Sequence, residues 1–123
     1  MKHSAEDIRA ALREQTGTLH YWRILPFKSS PVITDGVKTM IDMCDAYWLV
    51  THIASYQCEE KFRKEEFQVW KLVCKGDNTA TLTCEDGNGH VLNKEEIFYT
   101  DFPLPEGITL YLDNCVLLLP SEY

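Results

Sequence analysis

The sequence predicts an α+β fold in which two or three N-terminal helices pack on one face of an antiparallel sheet of about five strands. Apolar side chains recur at helical spacing as far as about residue 56, and from residue 67 onward they alternate with polar ones. Helices followed by a run of strands are typical of α+β domains. The chain has 123 residues, 45% of them apolar, so we expect a single domain over residues 1–123 with a substantial core.

Two or three helices are expected in the first half of the chain. Ser4 lies where an N-cap would begin a helix over about residues 5–15. Thr34 can cap a second helix, because its side chain can accept a hydrogen bond from the first turn. Residues 46–56 are apolar around much of a helical circumference, which indicates burial between a sheet and another helix. The sequence leaves open whether a break near residues 44–45 separates these last two helices.

The strands are separated by short segments rich in Gly, Asp, Asn and Pro, which favour turns. Residues 58–66 are expected to be a charged connector that leads into the sheet. Asp113 and Asn114 are expected to form a two-residue hairpin turn, because both residue types tolerate a positive φ. Strands are predicted at residues 19–25, 67–74, 79–84, 90–92, 97–99, 109–112 and 115–119.

The net charge is −7, from 12 Lys and Arg against 19 Asp and Glu, and the whole excess lies in residues 58–123. Such a surface repels phosphate backbones and attracts basic groups, so we expect no direct binding of nucleic acid. One interpretation is that the acidic side chains only keep the protein soluble. The other is that they dock on a basic protein surface, including one that normally holds nucleic acid. The candidate contacts are the acidic doublets Glu59 and Glu60, Glu65 and Glu66, Glu85 and Asp86, and Glu95 and Glu96.

The aromatic residues are expected mainly in the core and at its edge. Aromatic side chains dominate the binding energy of many protein interfaces, so several of them exposed together would mark a binding face. The residues concerned include Trp22, Trp48, Trp70, Tyr21, Tyr47, Tyr56 and Tyr111.

The five cysteines show no C-x-x-C spacing and the histidines no H-x-x-x-H spacing, so we expect free thiols, no metal site and no other cofactor. Cys74, Cys84 and Cys115 lie in strand-like runs and are expected to be buried. The glycine-rich motifs that cradle phosphate groups in nucleotide-binding proteins do not occur in the sequence.

One group of residues could begin a catalytic site. His52 and Ser55 lie three residues apart on the third expected helix, with Cys58 one turn further, and acyl-transfer sites place a base beside a nucleophile in this way. The sequence shows no evident acid to orient His52 and no G-x-S-x-G motif. We therefore expect a protein that is not an enzyme, with a small hydrolase or nuclease-like enzyme as the alternative.

No window of the sequence approaches the roughly 18–20 apolar residues that a membrane helix needs. The first residues also lack the apolar core of a secretion signal. We therefore expect a cytoplasmic protein that does not bind membranes.

Several short motifs carry a resemblance to a known group of proteins. They are Ala46–Leu49 (AYWL), Ile53–Gln57 (IASYQ), Phe67–Trp70 (FQVW), Ala80–Gly89 (ATLTCEDGNG) and Leu117–Tyr123 (LLLPSEY). With these motifs the chain resembles a family of small uncharacterised bacterial proteins associated with plasmids, phages and other mobile elements. The resemblance runs from about Gly17 to Tyr123 and leaves the first helix outside. It implies a mobile-element setting, and it implies no reaction and no catalytic residues.

The leading hypothesis is an interaction protein of a mobile element in the cytoplasm of a bacterial host. It would bind a basic surface on a host protein, such as a CRISPR effector or another nucleic-acid-handling defence complex, and inhibit it as anti-CRISPR proteins do. The alternatives are the small enzyme near His52 and Ser55, and an oligomeric accessory protein that forms a homodimer through an exposed strand edge.

Overall fold

A computed structural model describes residues 3–26 and 28–123, and in this part of the chain four α-helices and a C-terminal 3₁₀ turn pack with a seven-stranded sheet. The helices are α1 (Ala5–Arg13), α2 (Asp35–Cys44), α3 (Tyr47–Tyr56) and α4 (Glu60–Arg63), and the 3₁₀ turn spans Pro120–Glu122. The strands are β1 (Tyr21–Arg23), β2 (Val32–Thr34), β3 (Phe67–Cys74), β4 (Ala80–Glu85), β5 (Val91–Ile97), β6 (Ile108–Asp113) and β7 (Val116–Leu118). The predicted α+β class is confirmed, whereas the sheet is larger than expected.

The sheet is mixed, with the strand order β1-β2-β7-β6-β3-β4-β5. The expectation of a purely antiparallel sheet is wrong at one pair, because β2 runs parallel to β7 with Val32 opposite Val116. The backbone N–H of Val32 also donates to the carbonyl of Cys115 over 3.0 Å. A three-residue strand has too little alternation to be recognised, and its partner lies more than eighty residues away in the sequence, so no local pattern reports this pairing.

The N-caps expected from the sequence are present. Ser4 accepts a hydrogen bond from the backbone of Asp7 over 3.1 Å, and Thr34 accepts one from the backbone of Val37 over 3.3 Å. The break between α2 and α3 is also real, because Asp45 adopts the left-handed conformation with φ 52° and ends α2. Residues 35–56 therefore form two separate helices, α2 and α3, and not one continuous helix.

The segment at residues 58–66 is not a simple connector, because it contains the short helix α4. Its residue Phe62 is buried, and its ring lies 5.1 Å from the ring of Tyr56 and 5.9 Å from that of Trp70, measured between centroids. This one aromatic side chain fixes α4 against the core. A single apolar residue among charged ones gives no periodicity, which explains why the pattern missed the helix.

The placement of the N-terminal helices differs in detail from the expectation, because α2 contacts β1, β2 and β7 whereas α1 packs on α2. Alternate residues of the central strands point into the core on the helix side of the sheet. Leu72 of β3, Leu82 of β4 and Leu110 of β6 belong to one buried cluster. The same cluster includes Met40 of α2 and Ile53 of α3. Burial of each such side chain stabilises the fold by about 1.5–3 kcal/mol, so this layer is the main source of stability.

A buried amide network lies inside this core. Gln57, which follows the end of α3, and Gln68 of β3 donate to each other's side-chain carbonyl oxygens over 3.0 Å in both directions. Gln68 also accepts from the indole N–H of Trp70 over 2.9 Å and donates to the carbonyl of Phe62 over 2.8 Å. Buried amides must be paired to be tolerated, and here both are paired.

The last strands differ from the expectation in two places. β5 is one strand, and the predicted strand piece at residues 97–99 is wrong, because Phe98 and Tyr99 follow the end of β5 and are exposed. The hairpin turn between β6 and β7 is formed by Asn114 and Cys115, with φ 48° and 67°, one residue later than predicted. Cys115 is therefore exposed instead of buried, although Cys84 is buried as expected.

The first predicted strand, at residues 19–25, is also shorter in the structure, where β1 has three residues. Outside β1, Leu19 is exposed and Ile24 is buried. Among the described residues, no helix has the length and apolar character that crossing a membrane requires.

Candidate functional site

The sheet face opposite the helices carries side chains that are accessible to solvent. Tyr21 of β1 and Val73 of β3 lie on this face and are 61% and 51% exposed. Their neighbours along each strand point to the helices, which places these two side chains on the other side. In the described part of the chain, the C-terminal 3₁₀ turn lies over this face, where it contacts β6 and holds the side chain of Thr34. We call this surface the open face.

Three aromatic rings meet on the open face. Phe67 begins β3, Tyr111 lies beside it on β6, and Tyr123 follows the 3₁₀ turn. The three pairs of ring centroids are 5.3, 5.5 and 5.4 Å apart, with tilted and edge-on geometry. We call these three residues the aromatic cluster. Its outer member, Tyr123, is 71% exposed, so the cluster presents aromatic surface to solvent.

The turn between β4 and β5 packs against the same cluster. Gly87 adopts φ +85°, and a Cβ atom at this position would lie 2.8 Å from Cδ2 of Phe67. Only glycine therefore allows this turn to approach the ring so closely. The contact joins the end of β4 to the aromatic cluster.

A groove of about 450 Å³ lies beside the aromatic cluster, between the side chains of Tyr21 and Tyr123. The apolar side chains of Val116 and Leu118 also line it. Asp113 contributes a carboxylate, as does Glu122, and no Lys or Arg occurs among the lining residues in the described part of the chain. We call this space the tyrosine groove; its lining residues used below are Tyr21, Asp113, Val116, Leu118, Glu122 and Tyr123.

The Glu122 carboxylate attaches the C-terminal segment to the first turn of α2. Its Oε1 atom accepts from the hydroxyl of Thr34 over 2.6 Å and from the backbone of Leu119 over 3.0 Å, and Oε2 accepts from the backbone of Gly36 over 3.1 Å. An anion at a helix N-terminus is favoured because the helix dipole and the unpaired N–H groups point towards it. This attachment holds the neighbouring residue Tyr123 at the groove.

Four of the eight predicted acidic contacts flank one end of the sheet. Glu59 and Glu60 begin the short helix α4, which the hydrogen bond from Gln68 to the carbonyl of Phe62 joins to the start of β3. β3 begins and β4 and β6 end at the same edge, beside the aromatic cluster. We call this region the acidic end. Its acidic residues are the predicted contacts Glu59, Glu60, Glu65, Glu66, Glu85 and Asp86, together with Asp113. The basic residues that lie near them in the sequence or in the strand register are Lys61, Arg63, Lys64 and Lys71.

Some carboxylates of the acidic end already have partners. Glu85 forms an ion pair with Lys71 over 3.0 Å. Asp86 accepts backbone hydrogen bonds from Asn88 and His90 within its own turn, and the bond from Asn88 is the main reason for the lowered pKa of Asp86. These two residues shape the turn, whereas the side chains of Glu59 and Glu66 are exposed to solvent.

Glu95 and Glu96 do not join the acidic end, because they lie in the second half of β5, opposite the start of β4, and point to opposite faces. Glu96 pairs with Lys75 over 2.5 Å on the open face. Glu95 lies under α3, where it accepts hydrogen bonds from His52, at 2.7 Å, and from the hydroxyl of Tyr56. The predicted doublet is thus divided between two separate environments.

The contacts of Glu95 form a small polar cluster between α3 and β5. Desolvation opposes ionisation of Glu95, but the hydrogen bonds from Tyr56 and His52 outweigh it and lower the pKa of this carboxyl. Burial, followed by the hydrogen bond and charge of Glu95, raises the pKa of Tyr56 to about 12. The acid that orients His52, which the sequence did not reveal, is therefore Glu95, at a separation of 43 residues.

The nucleophile considered from the sequence is not aligned with His52. The hydroxyl of Ser55 donates to the backbone carbonyl of His52 over 2.7 Å, so it makes no hydrogen bond to the imidazole. Cys58 is exposed beyond the end of α3, and its carbonyl accepts from Arg63 over 2.6 Å. In the described part of the chain, His52 is thus oriented by Glu95, and neither Ser55 nor Cys58 makes a hydrogen bond to its imidazole.

The five thiols are unpaired with one another. Burial raises the pKa of Cys44 to about 11 and that of Cys84 to about 12, so both remain protonated at neutral pH. Among residues 3–26 and 28–123, no group of three or more His, Cys, Asp or Glu side chains is arranged to hold a metal ion.

Sequence reasoning missed the residues that line the tyrosine groove. The alternation of β3 and β6 could have placed Phe67 and Tyr111 on one face, since both lie opposite to buried neighbours. The position of Tyr123 and Tyr21 depends on the parallel pairing of β2 with β7 and on the Glu122 attachment, and neither leaves a local signal.

Comparison with known proteins identifies a family. The sequence model of a family of unknown function (DUF6876) matches residues 6–123, which includes nearly all of the helix that the motifs had placed outside the resemblance. Neither a search of curated proteins nor one of solved structures finds a match.

Proposed function

We propose that this chain, which belongs to the DUF6876 family, acts by binding a protein with a basic surface and does not catalyse a reaction. The observation that carries the proposal is the open face, where solvent-accessible aromatic rings lie next to the acidic end of the sheet. Aromatic side chains supply contact area that excludes water, and carboxylates around them select a partner of opposite charge.

The charge distribution supports this choice of partner. The net charge of −7 comes from residues 58–123, and all seven carboxylates of the acidic end belong to that half. A negative patch of this kind attracts a basic protein over a distance of roughly 8–10 Å at physiological salt and raises the association rate. It also repels nucleic acid, which would compete with this chain for the same basic surface.

We propose further that the partner is a nucleic-acid-handling host protein and that the chain comes from a bacterial mobile element. The motif resemblance supports the setting, and the acidic end supports the partner, because a surface built to hold phosphates is also complementary to clustered carboxylates. Inhibition of a CRISPR effector is the specific form of this proposal.

Affinity capture with paired variants tests the proposed function. The double variant Glu59→Lys and Glu66→Lys reverses two exposed charges at the acidic end, and the control Glu6→Lys and Glu14→Lys reverses two exposed charges on and beside α1. Each pair changes the net charge by the same amount. Proteins captured from a bacterial lysate are compared at low and high salt, with and without DNA competitor.

The proposal predicts that specific partners are basic, are displaced by DNA and by high salt, and are retained by the control but lost with the acidic-end variant. An equal loss of partners with the acidic-end variant and with the control would contradict the proposed surface, because it would show that total charge alone controls the binding. Recovery of partners that are insensitive to both variants would contradict the proposal outright.

One observation favours a hydrolase or nuclease-like function as a second candidate. Glu95 holds His52 in a fixed orientation, as the acid of a catalytic triad does, and a proton acceptor of this kind could activate water. The test is hydrolysis of p-nitrophenyl acetate and of DNA by the purified protein. Activity that disappears with His52→Ala but not with Ser55→Ala would support it, and no activity above buffer would remove it.

A further inference from the structure

We infer that the tyrosine groove receives an arginine side chain from the basic partner. The inference rests on the proposed function and names the group that this site recognises. It follows from three properties of the groove, namely its aromatic walls, its unopposed carboxylate and its fixed geometry.

The walls of the groove suit a flat cation. Tyr21 and Tyr123 are both more exposed than buried and face the same space, and Val116 and Leu118 provide an apolar surface. The guanidinium group of arginine is planar and weakly hydrated, so it stacks on aromatic rings more readily than the compact, strongly hydrated ammonium of lysine. The aliphatic part of the arginine side chain can cover the apolar residues.

Asp113 provides the charge that a guanidinium needs. Its contact in the structure is with the amide of Asn114, over 3.3 Å, which leaves most of the acceptor capacity of the carboxylate unused. Glu122 differs, since three donors already hold its carboxylate. With no Lys or Arg among the described lining residues, a cation from outside is the complementary ligand.

The groove is already shaped before a ligand arrives. Tyr123 packs on Phe67 and Tyr111 at centroid distances of 5.5 and 5.4 Å, and the neighbouring Glu122 is bound to the first turn of α2. A site that needs little ordering loses less free energy on binding. Its volume of about 450 Å³ lies in the range of roughly 300–1,000 Å³ that small-molecule sites occupy.

The test uses three peptides that differ at one position. Acetyl-Gly-Gly-Arg-Gly-Gly-amide is titrated into ¹⁵N-labelled protein and followed by two-dimensional NMR, beside the same peptide with citrulline or lysine in place of arginine. We expect amide shifts confined to residues around the groove, at β1, the β6–β7 turn and the C-terminal 3₁₀ turn. The citrulline peptide has nearly the shape of the arginine peptide without its charge and should cause no amide shifts. The lysine peptide should bind more weakly than the arginine peptide.

Two variants check the residues. Asp113→Asn keeps the shape of the side chain and should weaken binding of the arginine peptide about fivefold, the effect of removing one ion pair. Tyr21→Leu removes the aromatic ring from a wall that is 61% exposed and should also weaken binding of the arginine peptide. Asp101→Asn removes the same charge at an exposed site outside the groove and should leave it unchanged.

The inference is overturned if citrulline and arginine peptides bind equally, if the shifts lie elsewhere, or if Asp113→Asn binds as well as the unaltered protein. Its failure is separate from that of the proposed function. Partner capture that depends on Glu59 and Glu66 but not on Asp113 or Tyr21 would reject the arginine site alone. Arginine binding without any charge-dependent capture would reject the proposed function and leave the site.

Discussion

Replacement of Gly36 by alanine should release the C-terminal segment from α2. A Cβ atom at this position would lie 2.5 Å from Oε1 of Glu122 and 2.8 Å from Oε2, closer than contacts allow. Because these atoms end a flexible side chain, the clash can be relieved by rotation of Glu122 away from the helix. The cost is then the loss of its hydrogen bonds to Thr34, Leu119 and Gly36.

The magnitude follows from those bonds. Hydrogen bonds to a charged group contribute about 1.5–3 kcal/mol each when fully formed, but partial exposure and replacement by water reduce the combined loss to about 2 kcal/mol. Alanine in place of glycine stabilises a helix by up to about 1 kcal/mol. We therefore expect Gly36→Ala to lower the free energy of unfolding by about 1 kcal/mol.

Urea denaturation followed by circular dichroism measures this change, and a double-mutant cycle tests its cause. In the background of Glu122→Ala the clash is gone, so Gly36→Ala should become stabilising by a fraction of a kcal/mol. Gly17→Ala is the matched control, because nothing lies within 4 Å of its added Cβ. If Gly36→Ala is destabilising by the same amount in both backgrounds, the Glu122 attachment is not the reason.

Three other changes have expected outcomes. Gly107→Ala should lower the free energy of unfolding by more than Gly36→Ala does, by about 3 kcal/mol or more in urea denaturation. The added Cβ atom would overlap the backbone carbonyl of Leu72, and the φ of +80° at residue 107 is unfavourable for alanine. Arg9 donates a hydrogen bond to Glu106 and lowers the pKa of that carboxyl to about 2. The pair therefore stabilises the fold at pH values above about 4.5, the pKa of the carboxyl in the unfolded chain, and this stabilisation is lost as the pH falls towards 2. Glu106→Gln should therefore be less stable than the unaltered protein at pH 7 and equal to it near pH 2, in denaturation curves at both values. Gln68→Leu removes the central amide and leaves buried polar groups without partners, so it should lower the free energy of unfolding by about 2–3 kcal/mol in the same assay. An unchanged free energy of unfolding would contradict a stabilising role for the amide network.

The layered architecture was predictable because burial imposes a period on the sequence. Alternation from Phe67 onward located the central strands, and the caps Ser4 and Thr34 located two helix starts. The elements that the sequence does not predict are short, or depend on residues far apart in the chain. Helix α4 depends on the single buried residue Phe62, and β2 depends on a parallel partner at the far end of the chain.

The site was predictable only in part, for a related reason. Charge counts along the sequence located the half of the chain that forms the acidic end, but the strand register decides which carboxylates meet there. The adjacency of Glu95 to Glu96 in the sequence predicts that both belong to one acidic surface, yet the pleat of β5 places Glu95 under α3 against His52. The tyrosine groove combines β1, β6 and the C-terminal turn, which no local pattern joins.

Hydrogen–deuterium exchange of the chain, alone and bound to a captured basic partner, tests the central claim most directly. If the open face is the binding surface, protection appears at the start of β3, at the β6–β7 turn and in residues 120–123, and it is reduced by Glu59→Lys with Glu66→Lys. Protection confined to the exposed surfaces of α1 and α3, with the open face exchanging as it does in the unbound chain, would contradict the account.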